Sequence, residues 1–345
     1  MTSQRTKRLS GLHPNRSLFA MIWHWATGAW SFLSRPLNHG TRVPCNAEQQ
    51  DSPEAIPSPP SLRSQRPDAT LISPSFGVQD PPQPGSIIGI GASCFVSTYD
   101  NLTVLKGYQI WVDGKLRSSK CHTCEDAVRQ EHHVYEHLGT HPRILRYYGL
   151  VQVHPLVYSL RLELAPLGNV RQYIEDHEAP PKHSRIRMAL DTAVGLSYIH
   201  SCKVRHADLS CRNLFLFDGL RVKIGDLGDS AVEGDGFTPT VYEEARYALP
   251  CRGRDLDERP VAKIELFALG SAIYEILAWA RPFPELQDEE VEERYSREKF
   301  PCLDNIGIGV IVMNCWKEVY KTADEVAAAL AGSLRSEDTT ANEIQ

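Results

Sequence analysis

The 345-residue sequence lacks an apolar run long enough to cross a bilayer comfortably. Its most apolar block, residues 18–33, would form a helix of about 24 Å, whereas the hydrocarbon core measures roughly 30 Å. Basic clusters are also lacking after residue 84, and the net charge is −6. These two features argue against a membrane-spanning protein and exclude the basic footprint of a nucleic-acid-binding protein, so nucleic acid is not an expected partner.

Internal repeats are lacking as well, and the nine cysteines are scattered and odd in number. Such a set fits reduced thiols in a cytoplasmic protein better than a secreted disulfide framework. With 42% apolar and 23% charged residues, the composition is that of a globular protein, and the chain is long enough for two domains.

The first 84 residues differ in composition from the rest. Residues 36–84 hold 11 of the 23 prolines and cannot bury enough apolar area to offset their ordering entropy, so we expect residues 1–84 to be disordered. The block at 18–33 follows several basic residues and has the layout of an anchor. We consider two interpretations, peripheral association with a membrane surface and a poorly ordered tail.

Two short segments carry the chemistry. Residues 206–213 read HADLSCRN, and Asp226 follows Asn213 by thirteen positions within IGDLGDS. Asp208 offers a base for an acceptor hydroxyl, while Asn213 and Asp226 offer hard oxygen ligands for Mg²⁺. This spacing predicts a phosphoryl-transfer site.

The two segments resemble the catalytic loop HRDLxxxN and the DFG triplet of the protein kinase family. The resemblance implies an α+β, two-lobed protein-kinase-like fold. Its small β-rich N-lobe with one helix would occupy residues 85–164, and its larger helical C-lobe residues 165–331. A flexible tail would follow at 332–345.

Upstream segments extend the resemblance. Residues 87–96, IIGIGASCFV, match a glycine-rich phosphate hairpin at Gly89 and Gly91, with Cys94 in the third glycine position. Lys106 follows an apolar run, as does the lysine on the third strand of protein kinases. Glu131 lies on the apolar stripe of a helix, and this stripe can face Lys106.

The resemblance also implies ATP and Mg²⁺ as cofactors, a protein substrate, and a role for each matching residue. Asp208 would be the base, Asn213 and Asp226 would hold Mg²⁺, and Glu131 would hold Lys106. The nucleotide contacts would come from Gly89, Gly91, Val96, Val104, Lys106, Glu163, Ala165 and Phe215. His206, Leu227 and Tyr135 would stack into an apolar spine, and Leu162 would be the gatekeeper.

Several departures from the family pattern bear on activity. Ala207 replaces an arginine that pairs with a phosphorylated loop, so activation by phosphorylation of the loop hydroxyls of Thr238, Thr240 and Tyr242 is not expected. Glu265 stands in place of an aspartate, and neither an APE triplet nor the arginine that pairs with its glutamate is visible. Ser210 and Arg212 leave the acceptor open among Ser, Thr and Tyr.

Three functions remain open on this evidence. The first is an active protein kinase, since every phosphate, metal and base position holds the required residue type. The second is a pseudokinase scaffold that binds nucleotide or partner proteins, and the third is a small-molecule phosphotransferase. A zinc site is also considered, because Cys121 and Cys124 precede His132, His133 and His137, although the spacing matches no common zinc finger.

Overall fold

The structure, a computed structural model, describes residues 85–121, 124–239, 243–304 and 306–343. The tail predicted at residues 1–84, including the block at 18–33, lies outside these residues. In the part of the chain that is described, no helix has both the length and the apolar character needed to span a membrane.

The N-lobe is built on a five-stranded antiparallel sheet. Its strands run in the spatial order β1, β2, β3, β7, β6. They are β1 (Ile87–Ile90), β2 (Phe95–Thr98), β3 (Thr103–Gly107), β6 (Tyr147–His154) and β7 (Val157–Glu163). The predicted sheet lobe is confirmed, with β3 paired on both sides at the centre, where a lysine can be held rigidly.

A short hairpin between β3 and the lobe's helix was not foreseen. It consists of β4 (Gln109–Val112) and β5 (Lys115–Ser119). Asp113 and Gly114 at its tip have φ values of 49° and 68°, and this left-handed pair is the turn that Asp-Gly favours between antiparallel strands. Trp111 stacks on His154 of β6 with ring centroids 3.7 Å apart, which docks the hairpin on the sheet.

The single N-lobe helix, α1 (Cys124–Leu138), buries one stripe of side chains. Val128, Glu131, Val134, Tyr135 and Leu138 recur at spacings of three and four, so they share the face that packs on the sheet. Glu131 is therefore carried into the interior with the apolar residues, as the helical pattern predicts.

The C-lobe is mainly helical, as predicted. Its helices are α2 (Val170–Asp176), α3 (Lys182–Ser201), α4 (Val261–Ala278), α5 (Asp288–Ser296), α6 (Gly309–Trp316) and α7 (Ala323–Glu343). Between α3 and α4 lie the short strands β8 (Val204–Arg205), β9 (Leu214–Phe217), β10 (Arg221–Ile224) and β11 (Ala231–Val232). Helix α4 is buried on almost all sides and forms the centre of the lobe.

The last helix extends into the stretch predicted as a flexible tail. That tail was expected from residue 332, and α7 continues to Glu343. Leu330 and Leu334 are buried, and Glu337 pairs with Lys182 of α3 at 2.5 Å. Packing against α3 thus stabilises a stretch whose sequence, read alone, resembles a polar tail.

Candidate active site

Lys106, Glu131 and Asp226 meet at one point between the lobes. The Lys106 Nζ atom lies 2.7 Å from Glu131 Oε2 and 2.5 Å from Asp226 Oδ1. Glu131 also accepts a hydrogen bond from the amide of Leu227 at 3.2 Å, so α1 is tied to the segment that carries Asp226. The structure therefore brings together three of the five residues assigned to catalysis.

The charges in this cluster support each other. Burial alone would lower the pKa of Lys106, but Asp226 and Glu131 outweigh it and raise the pKa well above its usual range. Partial desolvation would raise the pKa of Asp226, but the charge of Lys106 outweighs this effect and lowers that pKa. The Asp226 side chain is 46% exposed, so a charged carboxylate faces the cleft while Lys106 stays almost buried.

The other two predicted catalytic residues form a second pair. Asn213 donates from Nδ2 to Asp208 Oδ2 at 2.9 Å and to the Asp208 carbonyl at 2.7 Å. The amide oxygen of Asn213 can then point away from Asp208, as a metal ligand must. Burial raises the pKa of Asp208 to about 7, with Arg212 opposing the shift. A carboxyl with this pKa can act as a proton acceptor at neutral pH.

Glu265 of α4 holds the catalytic loop in place through hydrogen bonds to its backbone. Its carboxylate accepts from the amides of Ala207 at 2.7 Å and His206 at 3.1 Å, and His200 bonds the same group at 2.8 Å. Ala207 has a φ of 70°, a left-handed conformation that needs such support. The extra methylene relative to aspartate therefore still permits bonds to two consecutive amides.

The predicted spine residues are all buried. Tyr135 and Leu227 belong to the main core cluster, and His206 is fully buried with Nε2 3.2 Å from the Gly225 carbonyl. Tyr135 stacks on Tyr147 at a centroid distance of 5.2 Å. These positions fit ordinary core packing as well as a spine.

The phosphate hairpin between β1 and β2 is closed by a backbone hydrogen bond, and it buries the Cys94 side chain. Gly91 donates its amide to the Cys94 carbonyl at 2.8 Å, which closes the turn between β1 and β2. Gly89 is paired with Val96, and a Cβ at Gly89 would lie 3.3 Å from that valine. The Cys94 side chain is 3% exposed, and burial raises its pKa to about 11, so the thiol is neutral.

The residues predicted to contact adenine lie on three elements. Val104 of β3 is buried, and Val96 of β2 is paired with Lys106, two positions along β3 from Val104. Phe215 is on β9. Its ring would lie 2.9 Å from a Cβ atom added at Gly225, so position 225 requires glycine. Glu163 ends β7 and pairs with Lys223 at 2.6 Å, and the Ala165 carbonyl accepts from Gly168.

The histidines weighed as zinc ligands point to other partners. His132 contacts the Tyr147 hydroxyl at 2.7 Å, His133 pairs with Asp235 at 2.8 Å, and His137 contacts the Cys202 carbonyl at 2.8 Å. Across the described ranges, no three His, Cys, Asp or Glu side chains gather as a metal site.

The segment from Asp226 to Cys251 is here called the activation segment. Sequence inspection missed an ion-pair cluster that follows it directly in the chain. Arg254 donates to both oxygens of Glu318, at 2.6 and 3.1 Å. Arg252 adds a third contact at 3.0 Å. The resemblance implied a glutamate here paired with an arginine near Trp316. Neither was found because the polarity is reversed, with the arginines just beyond the activation segment and the glutamate after α6.

We expect Glu318→Gln to lower the free energy of unfolding by about 1–2 kcal/mol, because two guanidiniums that are less than one-third exposed lose their shared counter-ion. Urea denaturation measures this. The matched control is Glu293→Gln, whose pair with Arg297 is about 60% exposed and should contribute less than roughly 0.5 kcal/mol. Equal effects of the two substitutions would contradict the assignment.

Comparison with known proteins yields a consistent result. The model of the protein kinase domain matches residues 84–341. The chain is 28% identical over 192 residues to serine/threonine/tyrosine-protein kinase HT1 of Arabidopsis thaliana, covering 52% of the chain and 47% of that protein. It is 32% identical over 178 residues to Aurora kinase A-B of Xenopus laevis, covering 51% and 42%. The chain thus spans less than half the length of these relatives.

Proposed function

Since the chain belongs to the protein kinase domain family, we propose that it transfers the γ-phosphate of ATP to a hydroxyl group of a protein substrate. The observation that carries this proposal is the position of the Lys106 Nζ atom, which lies 2.7 Å from Glu131 and 2.5 Å from Asp226. A cation held by two carboxylates from different elements is suited to binding phosphate oxygens.

The donor set fits ATP with Mg²⁺. Asp226 presents a half-exposed carboxylate and Asn213 an amide oxygen, both of which are hard ligands that Mg²⁺ accepts. The metal would supply charge neutralisation of the phosphate oxygens. In this proposal, Lys106 binds the α- and β-phosphates, and Glu131 holds Lys106 in place.

The remaining residues bind the nucleotide and move the proton. Asp208 orients the acceptor hydroxyl and takes its proton at a carboxylate oxygen, while Asn213 fixes the Asp208 carboxylate. The hairpin backbone from Gly89 to Gly91 covers the triphosphate. Val96 and Val104 line one face of adenine and Phe215 the other, and the backbone of Glu163 and Ala165 faces its edge.

The experiment that tests the proposal is phosphoryl transfer from γ-labelled ATP by the purified full chain, with and without Mg²⁺. Transfer to the protein itself or to mixed Ser, Thr and Tyr peptides supports it, and the labelled residue identifies the acceptor class. Measurable ATP binding without any transfer would support a nucleotide-binding scaffold. Transfer only to a sugar or an aminoglycoside would support a small-molecule phosphotransferase.

The pH dependence of the reaction should reflect Asp208. Because burial raises its pKa to about 7, the carboxylate is the minor form below that pH and the major form above it. We expect kcat/KM to fall about tenfold per pH unit well below pH 7 and to level off above it. A steady-state profile from pH 5.5 to 8.5 measures this, and a flat profile over that range would contradict the role of Asp208.

A further inference from the structure

A buried charge cluster joins the activation segment to the catalytic loop. Glu244 lies 2.7 Å from Arg171 Nη1 and 2.8 Å from Arg212 Nε. Arg171, in the first turn of α2, continues to Glu275 of α4 through Nε at 2.9 Å and Nη2 at 3.0 Å. One glutamate of the segment thus connects to α2, to α4 and to the loop that carries Asp208.

Tyr247 gives the cluster a second link to the same loop. Its hydroxyl donates to Glu275 at 2.6 Å and accepts from the amide of Cys211 at 3.3 Å. It also accepts from Arg171 at 3.1 Å. The catalytic loop is therefore held at two consecutive residues, Cys211 and Arg212, three and four positions after Asp208.

The charges in the cluster balance. Two arginines face two glutamates, and Arg171 and Glu275 are almost completely buried. Burial alone would raise the pKa of Glu244, but Arg171 and Arg212 outweigh it and lower that pKa. Glu244 is therefore ionised at neutral pH, and its removal would leave the buried guanidinium of Arg171 and the one-third exposed guanidinium of Arg212 short of a counter-ion.

We propose that Glu244 is a positioning residue for phosphoryl transfer, which holds Arg212 and the catalytic loop in place and docks the activation segment without an added phosphate group. This inference rests on the proposed function. Each contact of Glu244 is made by an unmodified side chain, so none of them requires a phosphorylated residue. Ala207 has no cation to offer a phosphorylated loop, and the cluster fixes the segment by permanent charges instead.

Glu243 provides a matched control for Glu244. It is the adjacent glutamate, yet its nearest arginine nitrogens, on Arg205 and Arg259, are 3.8 and 3.7 Å away. These distances exceed those of a hydrogen bond. The substitution to glutamine is isosteric at both positions, so a difference between the two variants reflects the contacts of Glu244.

The first test compares Glu244→Gln, Glu243→Gln and the unmodified full chain in the labelled-ATP assay. We expect Glu244→Gln to lower kcat/KM for a peptide by roughly 10- to 100-fold and to change the Kd for nucleotide by less than about twofold. Glu243→Gln should stay within about threefold. An unchanged Kd shows that the variant is folded. If Glu244→Gln does not fold, Arg212→Gln, which leaves the pairs of Arg171 intact, replaces it.

A comparison of kcat with the amount of folded protein separates positioning from a general loss of stability. Loss of folded protein would lower the nucleotide-binding stoichiometry in proportion to kcat, whereas lost positioning lowers kcat at full stoichiometry. A fall in kcat that is matched by an equal fall in stoichiometry would overturn the inference.

The final test concerns the phosphate group. After phosphatase treatment, the full chain with Thr238→Ala, Thr240→Val and Tyr242→Phe should retain transfer within about threefold of the untreated unmodified chain. Loss of transfer in this variant overturns the inference. If the unmodified chain transfers nothing, the proposed function fails; if it is active and Glu244→Gln is equally active, only the inference fails.

Discussion

Replacement of Asp208 by asparagine is expected to lower kcat on the order of 10²- to 10⁴-fold, because an amide cannot accept the proton of the acceptor hydroxyl. The side chain keeps its size, and Asn213 can still bond to the Asp208 carbonyl, so the loop should keep its shape. Nucleotide affinity should change by less than about twofold. Single-turnover transfer of label and a nucleotide titration measure the two quantities.

Asp218→Asn is the control for this experiment. Asp218 is an exposed aspartate on the turn after β9, and the same substitution there should leave kcat within about twofold. If Asp208→Asn transfers phosphate as fast as the unmodified chain, Asp208 is not the base. A variant that is inactive and also fails to bind nucleotide would indicate misfolding instead of lost chemistry.

Lys106→Met should destabilise the protein as well as abolish nucleotide binding. The substitution leaves Glu131, whose side chain is 1% exposed, with a buried carboxylate and no cation. Removing one partner of a buried ion pair costs about 3–5 kcal/mol. We therefore expect a loss of that size in the free energy of unfolding at neutral pH, measured by urea denaturation.

A double variant separates the lost pair from lost packing. Lys106→Met with Glu131→Leu removes both charges, and the free energy of unfolding should recover by a large part of the loss, because no unpaired charge remains. Nucleotide binding should stay absent in both variants. Lys317→Met, at an exposed position, should change stability by less than about 0.5 kcal/mol. A double variant less stable than the single one would contradict the proposed pairing.

Glu131 and Glu244 differ in whether the local sequence indicates their contacts. Glu131 was found from the sequence because its helix has a regular apolar stripe, and a residue on that stripe must face the sheet that carries Lys106. Glu244 lies in an irregular segment without periodicity. Its partners, Arg171 and Arg212, are 73 and 32 positions away in the chain, so no local pattern could indicate the contact.

The hairpin of β4 and β5 and the helical C-terminus show the same limit. An Asp-Gly turn is a local signal for a hairpin. The position of this hairpin on the sheet depends instead on a long-range contact, the stack of Trp111 on His154 of β6. Residues 332–343 have a polar composition typical of a tail, yet they belong to α7, in which Leu334 is buried and Glu337 pairs with Lys182 of α3. Long-range packing overrides local preference in such segments.

The sequence by itself determined the two-lobed class, the order of the motifs and the identity of the five residues proposed for catalysis. These depend on spacing and residue type, which a chain carries locally. The tertiary structure alone decided the pairing of charges across the fold, such as the reversed Arg254–Glu318 pair and the Arg171–Glu244–Arg212 cluster. An ion pair needs only a charged nitrogen and a carboxylate oxygen within about 4 Å of each other. Folding brings together residues that are far apart in the sequence, so local spacing does not indicate such a pair.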